Sequence, residues 1–410
     1  MTASSRTADE PAIVGADVTT VTDVQPPPAD APTPVDAPTS AGDPTPAGDP
    51  TPRQSVQRGR WGRWWRRWLG RTFLAGSALW LGYVLLHRAL SGRAWWWLLA
   101  ELTPPVLFLA VPLVFAAAAA GCRRTRRPAA LLCAVALLAG GGLSGINLPG
   151  PLRPEQPIPG DAVRIFSWNT LYWHPAGGSA DFYRFLRDQQ ADVYLLQEYI
   201  AEVDGVIVPI DERDRLRREM PGYEIAIIGE LVTLSRFPIV EQAPIEVAGL
   251  PPAPDDFHDF WNYQVLRTDL RVDGRVLSVY NTHVPVPLWV GGPSLFSRQF
   301  HRTIREQDQR RVAQLAALSA DVAANPNPVI LAGDLNTTPA MGDRRRLPDG
   351  LRDAVSASRA LYPATWQADG VRAWRLDWVL VSDEVAVHRY EFGDARGMSD
   401  HLPQTIWMTW

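Results

Sequence analysis

The sequence predicts a layered α/β sandwich with its functional site at the strand ends, carried behind a membrane anchor. From Asp161 to Trp410, strand-like apolar runs alternate with helix-like ones, the order of an α/β layered fold. Nearly every strand-like run stops at Asn, Gln, Glu, Asp or His. Ahead of this part lie three apolar stretches, two of which reach the roughly 20 residues that a helix needs to cross a bilayer.

Residues 1–57 are rich in Pro, Ala, Thr, Asp and Gly and almost free of aromatics. Such a segment cannot bury enough apolar surface to offset its chain entropy and reads as a disordered tail. A proline-rich docking site is the functional alternative. Residues 58–148 read as the anchor, with spans at about 68–86, 102–121 and 129–148. Pro104, Pro105 and Pro112 would break a soluble helix but are tolerated in membrane helices. The tryptophans of WGRWWRRW and AWWW fall where an interfacial belt would lie. The first span starts too far from residue 1 for an ordinary cleaved signal peptide. Six arginines between Arg58 and Arg71 precede it, Arg88 and Arg93 lie in the first loop, and Arg123, Arg124, Arg126 and Arg127 in the second. The positive-inside rule then places the tail and second loop in the cytoplasm and everything after Leu148 on the outer face of the cell membrane. Residues 149–160 are a Pro/Gly linker to a domain at 161–410.

Charge and cysteine content narrow the chemistry. The basic residues are all arginine. From Asp161 onward 25 arginines face 34 acidic residues, a charge near −9. So acidic a domain argues against a stable nucleic-acid partner, because that binding depends on neutralising phosphates. Cys122 and Cys133 both lie in the anchor. The domain therefore has no disulfide, no thiol nucleophile and no cysteine-based zinc site.

Within the domain, VRIFSWNT, ADVYLLQE, RVLSVYNTHV, PVILAGDLN and LDWVLVS read as strands with polar ends. SADFYRFLRDQQ and TIREQDQRRVAQLAALSADVAA read as helices. In LAGDLNTTP, Asp334 and Asn336 are two positions apart, a spacing that puts both on one face of a strand. Taken alone, such a pair is more often a turn former than a catalyst. The glycine before them allows a tight bend or a close backbone approach. Taken together, the strand ends supply Asn169, Glu198, Asn281, His283, Asp334, Asn336, Asp377, Asp400 and His401. An oxygen-rich, cysteine-free set suits a hard divalent cation, Mg²⁺ before Mn²⁺. One histidine could hydrogen-bond a phosphoryl oxygen, and one could move protons if a carboxylate orients it. A serine triad lacks its G-x-S-x-G elbow here, and the GD-x-x-D and GNH runs of other metallophosphatases are missing.

These motifs, together with LSRFPI, R-x-x-Q-L at Arg311–Leu315 and SDH, resemble the endonuclease/exonuclease/phosphatase superfamily in its motif order over residues 162–410. That group includes deoxyribonucleases, apurinic-site endonucleases, neutral sphingomyelinases and inositol-polyphosphate 5-phosphatases. The resemblance implies a four-layered α/β/β/α sandwich of two mixed sheets and metal-dependent hydrolysis of a phosphate ester. It further implies that Glu198, Asn169 and Asp400 hold the metal. Asp334 and Asn336 would handle the attacking water and the phosphate, and His283 would contact the phosphate. Asp377 and His401 would form a carboxylate–imidazole pair. Whether Asp334 or His401 is the general base stays open. The 5-phosphatase subgroup carries a Cys-Arg element where this chain reads RAWRLDWVL, which counts against inositol phosphates.

The substrate alternatives are a lipid head group and nucleic acid, the latter as an extracellular endonuclease would use it. A catalytically silent, membrane-bound binding module is the reading from a different class. Two aromatic-rich stretches, residues 255–264 and 284–300, are either membrane-facing loops or core-fillers, with Trp261, Trp289, Phe296 and Phe300 as the deciding residues. Arg310 and Arg311 read as surface or salt-bridging residues of the long helix.

Overall fold

The computed structural model describes residues 53–173, 179–204, 206–253, 256–288 and 294–410. Most of the 1–57 tail and Trp289 lie outside these residues. Helix α1 (Arg53–Leu90) starts directly after Pro52, inside the segment expected to be tail, because no further proline interrupts it. A 3₁₀ turn leads to the single-turn α2 (Leu98–Glu101), then α3 (Leu107–Ala120) and α4 (Arg126–Gly140). The three longer helices run up, down and up. Gly76 of α1 lies against the Phe115 ring of α3, Gly70 against Cys122 and Thr125, and Gly140 of α4 against Val84 and Phe108. Arg67–Leu90 and Arg126–Ser144 are long and apolar enough to cross a membrane. The expected span at 102–121 is corrected to a helix of only 14 residues. That is about 21 Å of rise, short of a hydrocarbon core of about 30 Å. Pro104 and Pro105 lie in the turn before α3, since a proline, lacking an N–H, is better placed at a helix start than inside one. Pro112 does stand inside α3 as expected.

The rest of the chain builds two six-stranded sheets. The elements in order are β1 (Val163–Asn169), α5 (Ser179–Asp188), β2 (Val193–Gln197), β3 (Ile200–Val203), β4 (Val206–Pro209), α6 (Arg213–Glu219), β5 (Glu224–Ile228), β6 (Leu231–Ser235) and β7 (Ile239–Pro244). There follow α7 (His258–Asn262), β8 (Val265–Val272), β9 (Arg275–His283), α8 (Arg298–Ala324), β10 (Val329–Asp334) and β11 (Arg352–Asp353). The chain closes with β12 (Trp366–Ala368), β13 (Val371–Trp374), β14 (Asp377–Val381), β15 (Ala386–Phe392) and β16 (Gln404–Thr409). One sheet has the order β15-β16-β1-β2-β6-β5, the other β11-β14-β10-β9-β8-β7. Each is mixed, with parallel pairs at β1–β2 and β9–β10. β3–β4 and β12–β13 are separate hairpins.

Both faces of the central strands are buried, so they read as continuous apolar runs. Val163 and Ile165, Val193 and Leu195, Ile330 and Ala332, and Val379 and Val381 meet between the sheets. The alternate residues face out: Phe166, Trp168, Tyr194 and Leu196 pack under α5. On the other sheet Leu331, Trp378 and Leu380 pack under Leu315, Leu318 and Val322 of α8. Each such fully buried leucine contributes roughly 1.5–3 kcal/mol. Ser297 Oγ caps α8 by accepting from the Phe300 N–H.

Arg310 and Arg311, expected near the surface of α8, are both buried. Arg310 donates to the carbonyls of Pro251 and Pro252. Arg311 is salt-bridging, as expected, but against Asp343 in the interior. The helix face that carries these arginines abuts loops rather than water.

The sandwich and the helices meet through the loop after Asn336. His87 Nε2 lies 2.8 Å from the Ala340 carbonyl. Glu101 accepts from Gly92 N at 2.7 Å and Gly342 N at 3.4 Å, and Arg346 donates to the Gly92 carbonyl at 2.7 Å. The backbones of Gly92 and Gly342 touch so closely that a Cβ on Gly92 would stand 2.5 Å from the Gly342 carbonyl carbon. Leu98 packs with Phe300, Ile304 and Met341, and Trp374 Nε1 donates to the Leu102 carbonyl at 2.9 Å.

Candidate active site

Period-two alternation settles which residues can meet. In β1, β9, β10 and β14 the inward-facing positions continue to Asn169, His283, Asp334 and Asp377, at one end of the space between the sheets. Register then aligns three of them, because Asp334 pairs with His283 on one side and Asp377 on the other. Asn169 stands on the facing sheet and bridges the two: its Nδ2 donates to Glu198 Oε1 at 3.0 Å and Asp334 Oδ2 at 3.1 Å. Gly333 makes the approach possible. Its φ is +146°, and a Cβ there would stand 2.0 Å from the Thr282 carbonyl oxygen.

Asp334 is the hub. Its Oδ1 accepts from Asn336 N at 2.7 Å, so the pair is a turn as well as a site. Its Oδ2 lies 3.6 Å from both His283 Nε2 and His401 Nε2. Asn336 Nδ2 donates to the Val284 carbonyl at 3.0 Å and lies 3.3 Å from His283 Nε2. Asn336 and Glu198 both take left-handed backbone conformations, φ 45° and 64°, strain of order 1–3 kcal/mol that the surrounding structure must hold in place.

The two histidines are each held by a carboxylate. His401 Nδ1 donates to Asp377 Oδ2 at 2.9 Å, which leaves Nε2 facing the site. His283 Nδ1 lies 3.0 Å from Glu230 Oε2. Burial alone would lower both imidazole pKa values. For His401 the charges of Asp377 and Asp334 outweigh it, and for His283 those of Glu230, Asp334 and Glu198, so both are pushed up to about 10. Glu198 opens partly to the pocket, yet burial raises its carboxyl pKa, with the Glu230 charge adding to the rise. Its Oε2 accepts from Tyr172 N at 2.8 Å.

All eight expected site residues thus lie at one end of the sandwich. Asp400 is at the edge: its Oδ2 accepts from Trp366 Nε1 at 2.7 Å, and its Oδ1 comes within 3.9 Å of His401 Nε2. Asn281 does not reach the site. It is fully buried and bonds Gln197 and the carbonyls of Leu196 and Val232, so it ties sheet to sheet. Glu230 was not foreseen. It sits in the β5–β6 turn, where the only signal is an acid flanked by apolar runs, IIGELVTL. Its Oε1 has no donor among the described residues.

Five carboxylates, Glu198, Glu230, Asp334, Asp377 and Asp400, surround two imidazoles, and both Glu230 Oε1 and Asp400 Oδ1 lack partners among the described residues. That donor set fits a hard cation. The tightest group of potential ligands is Asp334, Asp377 and His401, within 4.8 Å of one another. The Asp377–His401 hydrogen bond engages two of the three with each other, and the expected ligands Glu198, Asn169 and Asp400 lie outside this group. Beside them opens a pocket of about 100 Å³ lined by Glu198, Glu230 and His283 together with Tyr172, Ile200, Ile207 and Trp261.

No curated protein matches the sequence. Among solved structures, an endonuclease/exonuclease/phosphatase from Bacteroides vulgatus is similar at 15% identity, over 60% of this chain and 98% of that one, with a TM-score of 0.44. Sphingomyelinase C from Streptomyces griseocarneus is similar at 18% identity, over 60% and 99%, with a TM-score of 0.42. The human Nocturnin catalytic domain is similar at 16% identity, over 60% and 93%, with a TM-score of 0.41. The sequence from residue 166 to residue 401, more than half of the chain and every site residue above, matches the Endonuclease/Exonuclease/phosphatase family, and the chain belongs to that family.

Proposed function

We propose that this chain is a membrane-anchored phosphoesterase that hydrolyses a phosphodiester or phosphomonoester with a divalent metal, Mg²⁺ before Mn²⁺. One observation carries the reading: acids, amides and imidazoles from both sheets converge at one end of the space between the sheets, with Asn169 linking Glu198 to Asp334. Glu198, Asn169 and Asp400 would hold the cation, which when bound neutralises charge on the phosphoryl group and leaving oxygen. The protein's own groups do the rest. Asp334, or His401 in its neutral form, accepts one proton from a water whose oxygen bonds to phosphorus. The bond from phosphorus to the leaving oxygen breaks, and that oxygen departs as an alcohol once it takes a proton. Asp377 fixes the His401 tautomer and stabilises the imidazolium. Asn336 and His283 donate to phosphoryl oxygens as charge develops on them.

The same reading has α1, α3 and α4 pass the cell membrane three times, with the tail cytoplasmic and the catalytic domain outside. Its support is the up-down-up course of the helices and the arginines at the α3–α4 turn, at the end away from the sandwich. α3, with about 21 Å of rise, would cross beside its two longer neighbours by thinning the bilayer around it.

The test uses the full chain in detergent with a chromogenic phosphodiester and plasmid DNA, in Mg²⁺, Mn²⁺ or EDTA. Glu198→Gln, Asp334→Asn and His401→Ala are each expected to lower turnover by about 10²–10³-fold or more, with the thermal midpoint retained. Near wild-type turnover in any of the three would break the assignment of that residue. Protease on intact cells should cut the catalytic domain, and a domain left uncut would overturn the orientation.

A further inference from the structure

The sandwich docks on the helices by the end that carries the site. Ala340, held by His87, lies four residues past Asn336, so at most about 14 Å of chain separates the site from the end of α1. Trp374, bound to the Leu102 carbonyl, lies just before Asp377. Asn147, at the exit of the helices, donates its backbone N–H to the Leu361 carbonyl. Outward-facing leucines on α1 and α4, among them Leu86 and Leu138, run to within about a turn of these contacts. The polar headgroup layer is about 5–8 Å deep on each side of the hydrocarbon. A site within about 14 Å of the helix end is therefore at or just above headgroup height.

Apolar side chains stand out around that end, interspersed at the β3–β4 tip with the exposed Glu202 and Asp204. Phe296, in the loop that follows His283, is 95% exposed, and Leu295 beside it is also exposed. Val203 and Val206 stand out at the tip of the β3–β4 hairpin, whose Ile200 and Ile207 continue into the pocket wall. Trp96 is exposed on the loop between α1 and α2. Exposed apolar tips on loops that share one end with an anchor belong at a lipid surface rather than in water. The pocket has the same mixed character, lined by two acids and an imidazole together with isoleucines and aromatics. It suits a molecule charged at one end and apolar at the other.

Building on the phosphoesterase reading, we infer that this end of the domain lies on the bilayer and that the substrate is a lipid phosphoester. The lipid enters from the leaflet beside the helices, phosphate toward Glu198 and His283, apolar portion along Tyr172, Ile207 and Trp261. The near −9 charge of the domain disfavours nucleic acid at the same mouth.

The full chain is reconstituted in vesicles of phosphatidylcholine, phosphatidylglycerol and phosphatidylinositol, and headgroup release is measured beside hydrolysis of soluble bis(p-nitrophenyl) phosphate. Val206→Asp and Phe296→Ser, both outside the catalytic set, should lower release from vesicles at least about tenfold and leave the soluble ester unaffected. An environment-sensitive label at Val206→Cys should be quenched by lipid-borne bromine. A soluble ester turned over with no lipid release, or a label not quenched, overturns the lipid inference and leaves the phosphoesterase reading standing. A label shielded instead by a second copy or another protein does the same. No hydrolysis of either ester by the wild type, or hydrolysis insensitive to both EDTA and Glu198→Gln, removes the phosphoesterase reading and this inference with it.

Discussion

Replacing Arg311 with methionine should unfasten the two loops that present the site, because one guanidinium holds both. Its Nε and Nη2 donate to Asp343 Oδ2 at 3.1 and 2.7 Å, its Nη2 also to Thr337 Oγ1 at 2.8 Å, and its Nη1 to the Pro285 carbonyl at 2.5 Å. Thr337 follows Asn336 and Pro285 nearly follows His283. Methionine keeps much of the buried stem but leaves Asp343 buried, with Arg346 at 4.0 Å as the nearest cation. Breaking a buried pair from one side costs about 3–5 kcal/mol. For a fold of this size that lowers the thermal midpoint by about 6–20 °C. Turnover should fall further than stability explains, since a 1 Å displacement of catalytic groups can cost about 10²-fold. The assay is tryptophan-fluorescence melting of the full chain beside turnover of the soluble ester. The double variant Arg311→Met/Asp343→Leu removes the stranded charge and should melt above Arg311→Met alone. A drop below about 2 °C for Arg311→Met, or a double variant worse than both singles together, would refute the reasoning.

Gly333→Ala should cost about 1–3 kcal/mol from overpacking alone, with turnover lost as Asp334 is pushed off its strand, since the new Cβ would meet the Thr282 carbonyl at 2.0 Å. An active, wild-type-stable Gly333→Ala would show that the strands can part there. In EDTA, stability should decline as pH rises. His283 and His401, raised to about 10 in the fold, stabilise it fully below the unfolded value of about 6.5 and lose that contribution as pH climbs through about 10. Melting between pH 6 and 10 should show this decline, flattened in His401→Gln, and a flat wild-type profile would contradict it. Mg²⁺ should raise the melting temperature, by about 2.7 kcal/mol of stability at a hundredfold excess over Kd, and Glu198→Gln should abolish the shift. An equal shift in the variant would place the ion elsewhere.

The strand ends were legible because burial on both faces makes apolar runs that stop abruptly where the site begins. VRIFSWN, VILAGD and DWVLV each end or start at the residue that the parity of the strand then aims inward. Long-range pairing was not legible. Glu230 matters only because β6 lies next to β2 and faces β9, and nothing in a β-turn acid announces a histidine more than fifty residues away. Arg311 misled in the opposite way. On an amphipathic helix an arginine is ordinarily solvated, and only the packing of the 337–346 loop makes that face an interior. α3 came out short because hydropathy counts the apolar residues around Pro104 and Pro105 while the backbone there turns. Of the four deciding aromatics, Phe300 is core, Phe296 is exposed, and Trp261 lines the pocket beneath Arg310. Trp289 lies outside the described residues.

The contact of Gly92 with Gly342 also bears on how the molecule is made. Glu101 must wait for a backbone amide 241 residues later in the chain. At synthesis rates of about 5–20 residues per second, that is roughly 12–50 s during which Glu101 has Gly92 of its own loop but not its partner in the sandwich. A contact of such long sequence separation forms late. Docking of the sandwich on the N-terminal helices therefore cannot be completed before residue 342 is made. A chain stalled before residue 342 would leave Glu101, buried in the finished fold, open to quality-control machinery.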